Sequence, residues 1–424
     1  MNRILRRCVF VVSSVVFVAV VLGFVAGEFG WLGVRASGQD GAYKQMRVYA
    51  EVLKKVQTDY VTEPNVGAVT TGALHGLLDS LDSDSSYLTP TEYKIFKDRP
   101  ATDSAEVGVV ISRRFGYATV VTVAPGTSAE KEHLSDGDVI ESIDGQSTHE
   151  LSLAMMRLML EGKPGTTVVL SVVRARKPDA EKIKLTRGVT APPALTERQY
   201  DDKAILYLKP WVLTPTRVSE IAARLKDMAG THKVILDLRD TAEGDAAQGV
   251  RLANFFIKQG TLATLGGQKF PQQTLTADSA KAITDAQLTV LVNRGTYGAA
   301  ELTAAAIGDL KRGDVVGEKT FGEGSIQKTM LLADGSALIL TVAKYSTPGG
   351  KKIQDEAVTP TVPVTVTNDA DGADEGAPMG APAATAPARA VPPARVVAPA
   401  GVAAPDNDEI LDKALELLRG KAAA

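Results

Sequence analysis

The stretch "LVNRGTYGAAELTAAAIGDLKRGDVVGE", residues 291–318, decides the fold class of this chain. It reads as the end of an apolar strand, a helix rich in alanine, and a second apolar strand. Upstream, the strand-like runs "KAILYLKPW" and "VILDLRD" alternate with the helix-like runs "TRVSEIAARLKDMA" and "DAAQGVRLANFFIKQG". Strands that alternate with helices predict an α/β layer around a mostly parallel sheet. We assign residues 191–367 to this core, including a final β-rich piece, "GSALILTVAKYSTPGGKKIQ".

Composition excludes several classes of function. The chain has 424 residues, enough for several domains, and a formal net charge of −3. It has no basic run beside aromatic residues, so we expect no nucleic-acid partner. The single cysteine, Cys8, leaves the rest of the chain without a disulfide or a thiol nucleophile. The four histidines, at positions 75, 133, 149 and 232, are too scattered for a metal motif, and we expect neither metal nor cofactor.

The first residues predict export. Arg3, Arg6 and Arg7 precede an apolar run from residue 8 to residue 26, which at about 19 residues is just long enough to cross a bilayer. Because a basic flank stays in the cytoplasm, we expect an anchor with the bulk of the chain in the periplasm or outside the cell. Cleavage after Gly27 or Ala36 would instead give a secreted periplasmic protein. Residues 1–36 are assigned to this segment.

Three further segments flank the core. Residues 37–100 show helical periodicity in "MRVYAEVLKKVQTDYV" and "TTGALHGLLDSL", with Thr89 or Thr91 as candidate helix caps. The Ala- and Pro-rich residues 368–405 predict a linker. Residues 406–424 predict a capped amphipathic helix, which must pack against something to be stable.

Residues 101–190 have a different sequence pattern, with short strand-like runs separated by turn signals and one predicted amphipathic helix, "LSLAMMRLML". The order of these elements resembles a PDZ domain. The resemblance implies binding of a peptide C-terminus as an added strand, with the carboxylate held by backbone N–H groups of a glycine-containing loop. It assigns this role to Val107, Gly108, Val109 and Val110.

The order of helical module, PDZ domain and α/β core resembles the carboxyl-terminal processing peptidases, or tail-specific proteases. The motifs are "SLDSDSSYLTPTEY", "VILDLRD", residues 291–327, "YSTPGGKKIQ" and "VTPTVPV". The resemblance implies a serine nucleophile at the start of a helix and a lysine general base, because a hydroxyl needs a neighbouring base to become nucleophilic. It also implies an orienting glutamine, for which the sequence offers Gln327.

Both reacting positions are changed in this sequence. Alignment on Glu301 puts Gly298 at the nucleophile position, and alignment on the motif "FGEGSIQ" puts Glu323 at the base position. At the backbone site that would stabilise an oxyanion, Ala242 and Glu243 replace a proline and a glycine, and only Gly244 is left; an acidic group there has the wrong sign.

Other groups offer weak substitutes. Ser325 stands at a position where the family has a structural serine or threonine. Tyr297 precedes the nucleophile position, so its side chain would point in a different direction from that of a residue at the start of the helix. A carboxylate pair among Glu243, Glu301 and Glu323 is a candidate for acid–base chemistry on a non-peptide substrate. In the PDZ segment, Glu161 stands where the family often has arginine, which predicts looser coupling between PDZ domain and core.

Three hypotheses follow. The first is an exported pseudoprotease that binds C-terminal tails of exported proteins or regulates an active paralogue. The second is an active C-terminal processing endopeptidase with an unconventional site. The third is a structural subunit of a homo- or hetero-oligomer whose terminal helix docks on a neighbour.

Overall fold

The computed structural model describes residues 36–99, 105–114, 116–174, 177–227, 232–354, 356–365 and 408–420. The predicted export segment up to residue 35 and the predicted linker 368–405 lie outside these ranges. In the ranges described, no helix is both long and apolar enough to cross a bilayer. The chain divides into two compact units, residues 1–73 and 74–424.

The N-terminal region is helical, as predicted. Its helices are α1 (Ala36–Asp59), α2 (Val66–Asp79) and α3 (Pro90–Lys97), with the short strand β1 (Ser86–Leu88) before α3. Thr89 caps α3: its hydroxyl accepts from the N–H of Glu92, and the Glu92 carboxylate accepts from the N–H of Thr89. This reciprocal pair fixes where the helix begins.

The next region is a six-stranded antiparallel sheet with one long helix. Its elements are β2 (Val109–Arg114), β3 (Tyr117–Val123), α4 (Ser128–Lys131), β4 (Val139–Ile143), β5 (Gln146–Ser147), α5 (Leu153–Leu160), β6 (Thr167–Arg174) and β7 (Lys177–Thr186). The strand order is β2-β3-β4-β6-β7, and β5 pairs with β4. Strand β2 therefore lies at an edge of the sheet. Ile111, Met156 and Leu170 are buried in the core beneath it.

The core is built on a six-stranded sheet of order β19-β16-β15-β11-β9-β8. Its strands are β8 (Thr196–Tyr200), β9 (Ile205–Lys209), β11 (Lys233–Asp237), β15 (Gln287–Val292), β16 (Asp314–Gly317) and β19 (Val362–Pro363). Every pairing is parallel except that of β8 with β9. The predicted α/β class with a mostly parallel core sheet is confirmed.

Side chains alternate between the two faces of this sheet. Val234 and Val290 pack under the helices of the core, which are α6 (Pro215–Lys226), α7 (Ala246–Asn254) and α8 (Ala299–Asp309). Ile235 and Leu291 face the other way and are covered by the terminal helix α9 (Glu409–Gly420). The terminal helix thus docks on its own chain here, and Asp408 caps it by accepting from the N–H of Leu411 at 3.0 Å.

A second sheet, mainly antiparallel, completes the core and was not predicted from the sequence. Its path is β1-β18-β13-β14, and β17 pairs with β18. The strands are β13 (Thr261–Gly266), β14 (Gln273–Thr276), β17 (Ser325–Leu331) and β18 (Ala337–Ser346). A short parallel pair, β10 (Val212–Leu213) and β12 (Glu243–Gly244), and one 3₁₀ turn (Ser279–Lys281) account for the remaining elements. Because β1 joins this sheet, residues 82–88 are held beside the candidate site.

Candidate functional site

The site is organised by the sharp turn between β15 and α8. Gly298 is the N-cap of α8 and has φ +57° and ψ −110°. Nothing lies within 4 Å of the position that a Cβ would take there. A strained strand-to-helix turn of this kind exposes the nucleophile in esterases. Here the turn carries glycine, which adopts positive φ without steric cost and offers no reacting atom.

Glu301 joins the two ends of the site. Its buried carboxylate accepts from the backbone N–H groups of Gly298, Gly322 and Glu323 at 3.0, 2.7 and 2.7 Å, and from the hydroxyl of Thr320. Burial raises the pKa of Glu301 to about 7, and these hydrogen bonds oppose the rise. Gly298 and Glu323 therefore lie close together, as the alignment of two distant motifs predicted.

Glu323 is the central side chain. It is 9% exposed, and its Oε1 accepts from the Ser325 hydroxyl at 2.8 Å, while its Oε2 has no hydrogen-bond donor. Gln327 donates to the Ser325 hydroxyl at 2.6 Å, so it reaches Glu323 only through Ser325. Burial and the neighbouring Asp84 raise the pKa of Glu323 to about 8. This rise favours the protonated form of the carboxyl that stands at the position of a general base.

Asp84 and Arg157 complete the site, and sequence reasoning missed both. Asp84 is 6% exposed and accepts from Ser83 and Gln354, at 3.1 and 3.3 Å. The Arg157 guanidinium, on α5, lies 3.7 Å from Asp84 and donates to the carbonyl of Ile111. Asp84 lies within the motif "SLDSDSSYLTPTEY", but only the pairing of β1 with β18 brings that motif to the site.

Tyr297 is not placed as a nucleophile. Its ring lies 5.2 Å from the ring of Phe321, and its hydroxyl accepts from Arg157 at 3.4 Å. Burial, followed by the nearby Glu323, raises the pKa of Tyr297 above its ordinary value. Its hydroxyl therefore remains protonated at neutral pH.

The loop after β11 lies next to the turn at Gly298, since the N–H of Tyr297 donates to the carbonyl of Thr241 at 3.1 Å. Glu243 and Gly244 form β12, and Gly244 has φ +141°. Glu243 is exposed where it lines the cleft, but the surrounding protein partly desolvates its carboxyl and so raises its pKa. The predicted oxyanion region thus carries an acidic side chain beside the turn.

The predicted peptide-binding loop opens into a cleft of about 300 Å³. Gly108, Val109 and Val110 line it from the PDZ side, and Trp211 and Glu243 line it from the core side.

Within this loop, Val107 is only 1% exposed and packs in the core of the PDZ sheet, and Gly108 has φ +86°. Next to the loop, Glu106 also lines the cleft, and its pKa is raised by burial and by the charges of Glu243 and Glu161. Glu161 thus belongs to a group of like charges between the PDZ domain and the core.

The histidines described have packing roles where contacts are seen. The ring of His75 lies 5.9 Å from that of Tyr87, and the ring of His149 lies 5.4 Å from that of Tyr117. In the part of the chain that the structure describes, no three or more histidine, cysteine or acidic side chains are grouped to hold a metal ion.

Comparison with known proteins agrees with this architecture. Residues 204–364 match Peptidase family S41, and residues 102–185 match the PDZ domain. The chain is 29% identical over 369 residues to the carboxy-terminal-processing protease of Bartonella bacilliformis, covering 85% of this chain and 83% of that protein. It is 31% identical to the chloroplastic carboxyl-terminal-processing peptidase 2 of Arabidopsis thaliana, covering 73% of this chain and 63% of that one.

Among solved structures, the photosystem II D1 C-terminal processing protease superposes with a TM-score of 0.62 at 27% identity, covering 74% of this chain and 86% of that one. The chain therefore carries an S41 peptidase domain and a PDZ domain, and it is a homologue of the carboxy-terminal processing proteases. The resemblance drawn from the sequence is confirmed.

Proposed function

We propose that the protein is an exported pseudoprotease that binds C-terminal tails of exported proteins, or an active paralogue, without cleaving them. One observation carries the proposal: the turn that would present a nucleophile holds Gly298, and the side chain beside it is the buried carboxyl of Glu323, which has no amine to act as a base. Loss of the nucleophile alone lowers the rate of a serine protease by on the order of a millionfold. Here the base and the oxyanion region are altered as well.

Peptide binding needs different parts. Strand β2 is an edge strand, and an extended peptide can pair with such an edge through its backbone. Gly108, immediately before β2, lines the cleft with Val109 and Val110, and a peptide carboxylate bound there would meet their backbone N–H groups. None of these interactions requires the residues at 298 or 323. Tail binding is therefore compatible with the loss of catalysis.

The site of action follows from the N-terminal pattern. A basic flank followed by a long apolar run supports export, either with an uncleaved anchor or after cleavage. The tails available to the protein would then be those of exported or membrane proteins. Fractionation of cells that produce the full chain, combined with N-terminal sequencing, decides between the two forms.

The direct test measures binding and cleavage on the same purified protein. We expect fluorescent peptides with a free C-terminus to bind, and an unfolded protein substrate to stay intact. A Glu301→Ala variant purified in parallel identifies contaminating proteases, because it removes the carboxylate that assembles the site. Cleavage by the unaltered protein that is absent from this variant would overturn the proposal.

Restoration of activity is a second test. Gly298→Ser has room for the added side chain but places it at a strained φ. Glu323→Lys would place an ammonium beside Asp84. The Asp84 carboxylate favours the charged form of this lysine, which therefore could not act as a base. We therefore expect no activity from the double variant, and activity only when Asp84→Asn is added.

A further inference from the structure

The Oε2 atom of Glu323 is an unusual feature of this site. Glu323 is about nine-tenths buried, and this oxygen has no donor, whereas Oε1 accepts from Ser325. A buried polar atom without a partner costs free energy, so such atoms are few in folded proteins and point to a missing proton, ion or ligand. The carboxyl of Asp84 adjoins it, and two carboxyls can share a hydrogen bond only when one is protonated.

The charged groups around this oxygen come from several elements. Asp84 precedes β1, Arg157 lies on α5, and Glu301 on α8 binds the N–H of Glu323. Arg157 is already shared between Asp84, the carbonyl of Ile111 and the hydroxyl of Tyr297. When Asp84 and Glu323 are both ionised, their two negative charges exceed the single positive charge of the Arg157 guanidinium. This excess of negative charge favours binding of a second cation.

Open space lies beside the turn at Gly298. Nothing lies within 4 Å of the place where a side chain at residue 298 would begin. Gly298 and Glu323 donate to the same oxygen of Glu301, so this space adjoins Glu323. The rings of Tyr297 and Phe321 lie next to it and can cover an aliphatic stem.

The geometry favours an ammonium over the other cations. Calcium and magnesium take six or more oxygen ligands, whereas this position offers two carboxyls with a guanidinium nearby. A guanidinium needs a planar set of acceptors, but only one oxygen is vacant. A lysine ammonium is a compact donor on a flexible stem, and it matches a single buried acceptor.

Building on the proposed tail binding, we propose that Glu323 and Asp84 form an acceptor site for the lysine side chain of a bound polypeptide. The ammonium takes the place of the proton shared by the two carboxyls and donates to Oε2 of Glu323. Binding of a lysine-bearing ligand is thus coupled to the release of a proton. The specificity of the groove is for tails with a lysine placed to reach residue 323.

The test uses the full chain and matched peptides. Short peptides of alanine and leucine, each with a free C-terminus, carry one lysine at each position in turn, and each has a twin with norleucine. We expect one lysine position to bind at least about tenfold more tightly than its twin, the size of a charge-assisted hydrogen bond. Glu323→Gln should abolish this preference, and Glu416→Gln, a remote and exposed change of the same kind, should leave it intact.

Calorimetry of the unaltered protein gives a readout that does not depend on a variant. In buffers of different ionisation enthalpy at pH 7, the preferred lysine peptide should release more protons than its norleucine twin. Equal binding of all twins, or equal proton release, would overturn the lysine site and leave tail binding standing. Failure of every peptide to bind would overturn both, and a preference that survives Glu323→Gln would overturn the site alone.

Discussion

Gly298 has the conformation of a strand-to-helix turn that could present a nucleophile, but it has no side chain to react. The residue retains φ +57° at a strand-to-helix turn and has open space beside it. In an enzyme this conformation would strain the nucleophile, whereas glycine adopts it freely. Glycine at this turn thus supplies neither a reactive oxygen nor backbone strain.

Gly298→Ala should destabilise the protein by about 1–3 kcal/mol, because alanine is strained at this φ. Crowding does not contribute, since nothing lies near the new Cβ. Gly76→Ala is the matched control: Gly76 lies within α2 with equally open space, and alanine should stabilise a helix by about 0.5–1 kcal/mol. Urea unfolding of both variants measures the difference, and equal midpoints would contradict the strain.

Glu301 and Glu323 predict how stability depends on pH. Their pKa values, about 7 and about 8, exceed the value of about 4.3 for an unfolded chain. Between pH 5 and 8 the folded protein holds protons that the unfolded chain has lost, so the free energy of unfolding falls as pH rises. Carboxylates with a lowered pKa, such as Asp408, titrate below this range.

Glu323→Gln should make this dependence shallower by up to about 1.4 kcal/mol per pH unit, because one titrating proton is removed. Unfolding at pH 5.5 and pH 8 measures the slope. Glu416→Gln changes the same functional group on the surface of α9 and should leave the slope unchanged. Parallel slopes for Glu323→Gln and the unaltered protein would contradict the assignment.

At the same scale, sequence reasoning found the residues that lie within aligned motifs and missed those brought in by the fold. Gly298 and Glu323 could be paired from two motifs, and the structure brings them together through Glu301. The local sequence around Asp84 predicts only a turn, and that around Arg157 predicts only a helix of the PDZ domain. No local pattern indicates that these segments converge.

At the scale of elements, the terminal helix α9 is held by its apolar face and by ion pairs near its two ends, one of which is partly buried. Arg239 donates to Asp237, which is fully buried at the end of β11, and to Asp408 just before α9. The Tyr207 hydroxyl also donates to Asp237, at 2.7 Å. A second link, between Arg419 and Asp201, lies on the surface.

Arg239→Ala should cost about 3–5 kcal/mol, because it leaves the Asp237 carboxylate buried without its cation. Arg419→Ala breaks the exposed pair at the other end of α9 and should cost no more than about 1 kcal/mol. Chemical unfolding gives both values, and hydrogen exchange shows whether α9 detaches. Similar losses for the two variants would mean that the buried pair has no special weight.

Element type followed well from local periodicity, and sheet membership did not. The runs read as strands in residues 204–318 became β9, β11, β15 and β16, and the runs between them became helices. The second sheet joins β1 to strands from the end of the core, and such long-range pairing leaves no local period. The docking of α9 on its own sheet was likewise open, because amphipathicity predicts a buried face but not its partner.

Across the whole molecule, carboxyls face each other between the PDZ domain and the core. Glu106 and Glu243 line the cleft beside Gly108, and Glu161 adds its charge to theirs. The pKa values of Glu106 and Glu243 are raised, chiefly by burial. A ligand carboxylate that enters this cleft meets less repulsion when these groups are protonated.

A norleucine peptide with a free C-terminus should therefore bind more tightly at pH 5.5 than at pH 8. The same peptide with an amidated C-terminus should show little change, because it carries no carboxylate. Glu243→Gln should reduce the pH dependence of the free peptide. Fluorescence anisotropy measures all three, and an identical dependence for the free and amidated peptides would place the carboxylate elsewhere.

The absence of a side chain at Gly298 also has a consequence for the dissociation kinetics of a polypeptide bound at the site. Residue 298 has no side-chain oxygen that could form an acyl bond, so under the proposed function a bound polypeptide dissociates unchanged. Its residence time then equals the reciprocal of a dissociation rate, with no turnover step to shorten it. Occupancy rises and falls with the free concentration of the ligand, as for a buffer.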